Sequence, residues 1–327
     1  MPIYPVDKPL NLTSHDVVAE ARRRLGTRRV GHAGTLDPLA TGVLTLLVGE
    51  ATKLSPYLTA SAKRYLAWVA FGAGTPTLDA EGPVTATADA VRLRALSPAA
   101  IAAEAGRFLE LTEQRPPAYS AVKQGGERSY AAARRGEVVE PPARPVAYHR
   151  VELLAFAPRR AELPGRFAPG PDGWAPAASG RAFDLPPELA ELPTALLRLE
   201  VGAGTYVRAF ARDLGAALGV PAHLAGLVRT GAGGIDLARC TPLHALGEAE
   251  GLAPSEALDL PSLRLDAATA LAVRQGKRLS LPLTGTTVLV DPDGQLAAIV
   301  EPREPRAPGG EAASTPVPVR ILRAWQR

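Results

Sequence analysis

The sequence has very little cysteine and no clustered histidine. Its 327 residues contain one cysteine, Cys240, so a disulfide-stapled fold and a cysteine-based zinc cluster are both excluded. The five histidines are scattered, and none lies three to five residues from another, which is the spacing of metal ligands on one helix or loop. We therefore expect no bound metal.

Long apolar stretches are also missing. No run of 18 apolar residues occurs, although 46% of the residues are hydrophobic, and the opening MPIYPVDKPL does not resemble a signal peptide. These features predict a globular protein of the cytoplasm that does not associate with membranes. A chain of this length forms one large domain or two domains of unequal size.

Lysine is scarce, since 32 of the 37 basic residues are arginine. The net charge of +4 is uneven: residues 1–64 carry +4 and residues 107–150 carry +3, while the rest of the chain is net negative. Arginine presents a planar fork that suits phosphates and stacks on bases. Because the composition is also rich in alanine and proline, as GC-rich coding produces, the arginine content alone does not identify a nucleic-acid partner.

Local patterns predict an α+β domain followed by a small β-rich one. A helix capped at Ser14, a second over LSPAAIAAEAGRFLELT and a third starting at Thr205 are predicted, with buried strands at VLTLLVG, KRYLAWVAFG and TALLRLEV. The sequence TTVLVDPDGQLAAIV predicts a hairpin with an Asp-Gly turn. We place the boundary between residues 1–252 and 253–327. Within the first domain, residues 115–146 are predicted to leave the sheet, and residues 158–192 to form a flexible insertion.

Common nucleotide and hydrolase signatures are absent. GEATKLS lacks the Gly-Lys-Ser/Thr of a phosphate-binding loop, GAGG at 231–234 lacks the remaining spacing of a dinucleotide site, and no serine lies in a G-x-S-x-G turn. The sequence therefore does not support a nucleotide-binding protein or a serine hydrolase of these types.

The loop GHAGTLDPLATG is the strongest candidate for chemistry. Three glycines frame it, and it leads into a predicted core strand, a position where scaffolds often place functional residues. Asp37 and His32 lie five residues apart in this loop and could face one pocket. Asp37 followed by Pro38 is also typical of a helix N-cap, and His32 could equally be a structural histidine.

Two further residues stand out. Arg208 falls in the first turn of the helix predicted from Thr205, where a cation opposes the helix dipole, and such a departure from a local rule often marks a site. An arginine at this point could pair with a sequestered carboxylate. Tyr65 lies in a predicted strand, and its pattern alone is typical of a core aromatic.

Taken together, these segments resemble the TruB family, the tRNA pseudouridine-55 synthases. The resemblance rests on GHAGTLDPLATGVLTLLVGEATK and continues in order through VDKPLNLTSHDVV, KRYLAWVAFG, RPPAYSAVKQGGERSYAAARRGE, GTYVRAFARDLGAALG and HLAGLVRTGAGGI. It covers residues 3–250 apart from the insertion, and the tail resembles the RNA-binding PUA domain. It implies a pseudouridine synthase fold with a mixed, mostly antiparallel sheet flanked by helices, plus a small barrel-like PUA domain.

The resemblance also implies roles for individual residues. Asp37 matches the catalytic aspartate, which attacks the base or the ribose carbon of a flipped uridine. Arg208 matches the arginine paired with that aspartate, and Tyr65 the tyrosine that stacks on the target base. The other pocket positions that it implies are His32, which fills the space vacated by the base, Tyr206 and Leu227.

The expected partner is tRNA, bound through its T-loop and stem by a monomer that needs no cofactor. The basic helix at 15–25 and the segment 115–146 become RNA-gripping surfaces. Two alternatives stay open: a tRNA-binding or folding protein without turnover, and a synthase acting on another RNA. One departure from the family pattern is Asn11, where glycine is usual, and asparagine tolerates the left-handed backbone conformation.

Overall fold

The computed structural model describes residues 1–119, 123–124, 127–128, 141–304 and 315–325. Most of the segment 115–146 therefore lies outside the described residues, and its predicted role is not addressed by the structure. The chain divides into two compact units, Tyr4–Glu250 and Gly251–Arg327, the latter together with Met1–Ile3. In the described part of the chain, no helix is long and apolar enough to cross a membrane.

A central sheet organises the first unit. Its strands are β1 Ile3–Lys8, β2 Val30–Ala33, β3 Ala40–Val48, β4 Lys63–Phe71, β5 Tyr148–Ala157, β6 Thr194–Val201, β7 Ala222–Ala232, β8 Ile235–Asp236 and β9 Thr241–Pro242. The order is β5-β6-β4-β7-β3-β1-β9, with β2 paired to β3 and β8 to β7. The β5–β6, β6–β4, β4–β7, β2–β3 and β7–β8 pairs are antiparallel, whereas the β7–β3 and β1–β9 pairs are parallel, so the predicted mixed, mostly antiparallel sheet is confirmed.

The helices described in this unit are α1 Ser14–Arg24, α2 Ser55–Ala60, α3 Ala90–Arg94, α4 Pro98–Gly106 and α5 Val207–Ala217. Of these, α1, α4 and α5 pack on one face of the sheet. Residues of α1, α4 and α5 share one apolar cluster with Val69 of β4. Short two-stranded ladders lie outside the sheet: Ala73–Gly74 with Ala86–Thr87, Glu113–Gln114 with Arg144–Pro145, and Lys123–Gln124 with Glu127–Arg128.

The start of α1 differs from the prediction. Thr13, not Ser14, is the N-cap: its hydroxyl accepts from the Asp16 amide at 3.1 Å, and the Asp16 carboxylate accepts from the Thr13 amide at 2.9 Å. Thr13 and Asp16 therefore form a capping box, in which the aspartate takes the place that glutamate or glutamine usually has. Ser14 is consequently free to bond elsewhere, and its side chain turns toward the loop before β3.

Residues 158–192, for which the sequence predicts a flexible insertion, contain regular structure and buried aromatic side chains. The segment contains a short hairpin, Phe167–Ala168 with Ala175–Pro176, and it packs on the sheet face opposite the helices. Since neighbouring strand residues point to opposite faces, Trp68 lies on that second face, where its ring meets Phe167 edge-to-face at 5.6 Å. Trp174 donates to Asp236 at 3.0 Å. A few aromatic anchors therefore fix a segment whose composition otherwise resembles a linker.

The second unit is β-rich. Its five-stranded sheet has the order β10-β12-β13-β14-β11, with β10 Ser262–Arg264, β11 Ser280–Leu281, β12 Thr287–Val290, β13 Leu296–Pro302 and β14 Val317–Ala324. The helices α6 Pro254–Ala257 and α7 Ala267–Arg274 accompany it. The predicted hairpin is present as β12 and β13, and Gly294 adopts φ +79° in its turn.

Candidate active site

Asp37 lies in the loop between β2 and β3. These strands pair antiparallel, so the loop reverses the chain, and Gly34 and Gly42 take positive φ angles of +77° and +94° in or beside it. The amide of Ala40 donates to the Asp37 carbonyl at 3.1 Å, which closes a turn. No helix follows Asp37 before β3 begins, so its interpretation as an N-cap is wrong.

The buried Arg208 holds the Asp37 carboxylate. Its Nε lies 2.9 Å from Oδ2, without hydrogen-bond alignment, and its Nη2 donates to Oδ1 at 3.3 Å. The Arg208 side chain is 9% exposed and that of Asp37 is 37% exposed. The arrangement therefore presents a paired carboxylate to solvent while its counter-ion stays inside the protein.

Arg208 is itself fixed by a loop that sequence reasoning missed. Its Nη1 donates to the Thr77 carbonyl at 2.9 Å and lies 3.5 Å from the Asp79 carboxylate, whose side chain is 4% exposed. Leu78, between them, has φ +63°, a conformation that costs a bulky residue roughly 1 kcal/mol or more. The strained residue lets both of its neighbours face Arg208. No motif marks Asp79, because only the tertiary structure brings it to the site.

Burial shapes the charge of this acidic loop. Desolvation raises the pKa of Asp79, against the opposing effects of the Thr77 hydroxyl and Arg208. The pKa of Glu81 is raised as well, by desolvation first and then by the charges of Asp79 and Asp37. The Arg208 guanidinium thus contacts both the Asp37 carboxylate and the nearly inaccessible Asp79 carboxylate, and it offsets the negative charge of both.

Tyr65 and Leu227 line the sheet beside this loop. Tyr65 in β4 is 8% exposed and Leu227 in β7 is 6% exposed, and both belong to the apolar cluster that contains Leu36, the residue before Asp37. Tyr65 is therefore a core aromatic, as its pattern predicts, and it pairs across the sheet with Arg229, while Leu227 pairs with Ala40 at the start of β3.

His32 and Tyr206 occupy less central positions. His32 lies in β2, and its ring meets that of His15 edge-to-face at 5.7 Å. Desolvation lowers the pKa of His32, followed by the effects of His15 and Arg229, so the neutral imidazole is favoured. Tyr206 is the N-cap of α5, and the buried Gln114 holds its backbone by donating to its carbonyl at 3.1 Å and accepting from its amide at 2.9 Å. Gln114 was not predicted from the sequence.

Comparisons with known proteins agree with one another. Residues 22–169 match the family model described as TruB family pseudouridylate synthase (N terminal domain), and residues 260–309 match tRNA Pseudouridine synthase II, C terminal. A tRNA pseudouridine synthase B of Deinococcus deserti is 53% identical over 99% of this chain and 100% of its own length. The protein of the same name from Thermus thermophilus is 52% identical over 92% of this chain and 95% of its own.

Among solved structures, a chain in the crystal structure of a Cbf5-Nop10-Gar1 complex superimposes with a TM-score of 0.63. It covers 99% of this chain and 84% of that chain, at 21% sequence identity. A likeness at this identity shows the fold and carries no information on substrate.

Proposed function

The chain belongs to the TruB family of pseudouridylate synthases, and from that premise we propose that it converts the T-loop uridine of tRNA into pseudouridine-55. The observation that carries the proposal is the Asp37 carboxylate, accessible to solvent and held by a buried arginine. The curated relatives of Deinococcus and Thermus support tRNA as the substrate class, because they match this chain along nearly its whole length.

Asp37 is the proposed nucleophile. Once the uridine has been flipped out of the T-loop, the carboxylate adds either to C6 of the base or to C1′ of the ribose, and the bond between C1′ and N1 breaks. A bond from C1′ to C5 then forms, the C5 proton leaves, N1 takes up a proton from solvent, and the bond to Asp37 breaks to release the carboxylate. The isomerisation neither oxidises nor reduces the base, so it requires no redox cofactor. Arg208 orients the attacking oxygens and offsets their negative charge.

The remaining predicted residues are assigned to binding the flipped base. Tyr65 stacks on the uracil and Leu227 and Tyr206 line the pocket. His32 occupies the space that the base leaves, and a neutral imidazole suits that role because it brings no charge into the stack. Base flipping costs a few kcal/mol, which stacking and phosphate contacts offset.

The two basic regions are assigned to gripping the RNA. In α1, the Arg23 side chain is 74% exposed, although Glu20 pairs with it, whereas Arg22 is partly used to donate to the Val30 carbonyl at 3.0 Å. We expect the protein to act as a monomer in the cytoplasm, where its tRNA substrate is found. The β-rich unit is assigned the PUA-like RNA-binding role.

Incubation of the full chain with unmodified tRNA tests the activity. We expect one pseudouridine per molecule, at the T-loop position, and none in a transcript carrying cytidine there. Tight binding without any pseudouridine would favour a tRNA-folding protein. Modification of ribosomal or small guide RNA in place of tRNA would favour a synthase with another substrate.

Truncation after Glu250 tests the second unit. The shortened protein is expected to keep turnover at saturating tRNA but to bind tRNA more weakly. Since residues 253–327 carry a net charge of +1, the slope of log affinity against log salt concentration should change by only a few units. Equal affinity of the truncated and full chains would contradict the assignment.

A further inference from the structure

Arg229 is a buried cation that the proposed chemistry does not use. It lies in β7 and is 1% exposed, and within the described residues it forms no ion pair with a carboxylate. Burying a charge without a counter-ion is costly, and an apolar residue of similar volume is often tolerated better at such a position. Its presence therefore calls for a specific role.

The guanidinium of Arg229 joins the two ends of the Asp37 loop. On the incoming side its Nη2 donates to the Gly34 carbonyl at 2.8 Å, and Nη1 makes a longer contact of 3.5 Å with the Thr35 carbonyl. On the outgoing side its Nε donates to the Val43 carbonyl at 2.6 Å. One rigid planar group thus sets the distance between the residues that precede and follow Asp37.

The two glycines beside the loop are matched to Arg229. A Cβ at Gly42 would lie 2.3 Å from the Arg229 carbonyl oxygen, and one at Gly34 would lie 3.4 Å from Nη1. Both also have positive φ angles, where a side chain is strained. The glycines let the backbone come close enough for the guanidinium to reach the carbonyls on both sides.

Other side chains hold the middle of the loop. The buried Ser14 hydroxyl accepts from the Leu36 amide at 2.8 Å and donates to the Leu36 carbonyl at 3.0 Å. Lys8 donates to the Pro38 carbonyl at 3.2 Å. The backbone is therefore held directly on each side of Asp37, and the carboxylate position depends on these contacts as much as on Arg208.

We propose that Arg229 is a positioning residue for catalysis, which aligns the Asp37 carboxylate for attack by holding both ends of its loop. The inference rests on the proposed role of Asp37 as nucleophile. An error of 1 Å in the position of a reacting group can cost on the order of a hundredfold in rate, whereas RNA affinity comes mainly from contacts spread over the surface.

Arginine suits this task better than lysine. Its planar fork spreads its donors over three nitrogens and reaches carbonyls on both sides of the loop, whereas a lysine donates from a single nitrogen, and arginine stays protonated when buried. Burial lowers the pKa of the nearby Lys8 to about 8, with Arg229 adding to the effect after partial compensation by Asp37 and Glu81. A lysine at position 229 would therefore donate to fewer loop carbonyls, and burial would favour its neutral form.

The test compares Arg229→Lys with wild type in single-turnover pseudouridine formation at saturating enzyme, together with the tRNA dissociation constant. We expect the rate to fall on the order of tenfold to a hundredfold while the dissociation constant stays within about twofold. Arg198→Lys is the matched control, because Arg198 is also a mostly buried strand arginine but bonds to Trp174 and Glu152 on the other face. It is expected to keep the wild-type rate.

Ser14→Ala provides a second test that does not depend on the folding of the Arg229 variant. It loosens the same loop at Leu36 and should show the same loss of rate with unchanged binding. Where both variants fold, the two changes should combine less than multiplicatively. A wild-type rate in Arg229→Lys would overturn the proposal. So would equal losses of rate and binding, or a normal rate in Ser14→Ala beside an unfolded Arg229→Lys.

The failure of this inference differs from that of the proposed function. If Asp37→Asn is inactive and Arg229→Lys is normal, only the positioning role is wrong. If Asp37→Asn is active, the nucleophile assignment is wrong, whatever the Arg229 variant does.

Discussion

Replacing Arg208 with lysine tests the charge network behind Asp37. The guanidinium contacts Asp37 at 2.9 and 3.3 Å, the Thr77 carbonyl at 2.9 Å, the Tyr119 carbonyl at 3.0 Å and Asp79 at 3.5 Å. A single ammonium keeps the charge but cannot span two carboxylates and two carbonyls. We therefore expect Arg208→Lys to leave Asp37 paired loosely or not at all.

The size of the effect follows from these contacts. A hydrogen bond to a charged group contributes about 1.5–3 kcal/mol, and losing one that orients the attacking carboxylate lowers the rate by roughly 10- to 100-fold. The exposed tRNA contacts are unchanged, so the reduction should appear in kcat and not in KM. Some stability should also be lost, because Asp79 remains buried with a poorer partner.

The assay is multiple-turnover conversion of tRNA uridine at varied tRNA concentration, monitored through the release of the C5 hydrogen to solvent. Arg212→Lys, one turn further along α5 and paired with Asp213, is the control for changes to the helix itself. A rate for Arg208→Lys within twofold of wild type would refute the reasoning. A rise in KM at unchanged kcat would show that Arg208 acts in binding instead.

Two further predictions concern stability. Phe167→Ala should lower the free energy of unfolding by about 3–5 kcal/mol, because Phe167 is 2% exposed and packs on Trp68 and Phe183. Denaturant titration measures this change, and a value below about 1 kcal/mol would favour a loosely packed insertion. His223 is fully buried, and desolvation lowers its pKa, so the unfolded state binds its proton first and stability should fall as the pH drops below about 6.5. In His223→Asn, the asparagine amide can retain the contact that the ring Nδ1 makes with the Ala73 carbonyl, and this variant should lose less stability between pH 7 and 5. Substitution of the exposed His149 by asparagine is the control and should match wild type. Equal slopes of stability against pH in all three proteins would contradict this role of His223.

Patterns within one segment predicted the strands and singled out candidate site residues. The apolar runs correspond to β3, β4 and β6, and the asparagine in place of the usual glycine adopts the expected left-handed conformation, with φ +64° at Asn11. Arg208 drew attention because it opposes the dipole of its own helix, and the structure pairs it with Asp37. Departures from local stability rules are visible in a sequence, and here one of them marked the site.

Residues that act through tertiary contacts were not predicted. Asp79 reaches Arg208 across 129 positions of the chain through a strained turn, and Gln114 holds Tyr206 by its amide. The sequence predicts a helix cap at Ser14, because it cannot distinguish a cap at residue 13 from one at residue 14. It predicts a flexible insertion at residues 158–192 because the aromatic anchors there lie at irregular intervals, and period-based reasoning gives such residues no partner.

The measurement that tests the account most directly is pseudouridine formation by purified Asp37→Asn, alongside its affinity for tRNA. The amide is close to the carboxylate in volume but cannot act as the nucleophile, so no pseudouridine should form. Binding should persist or strengthen slightly, because the change removes a negative charge from an RNA-facing pocket and leaves the basic surfaces intact. Appreciable conversion by this variant, free of wild-type enzyme, would contradict the assignment of Asp37 as the nucleophile.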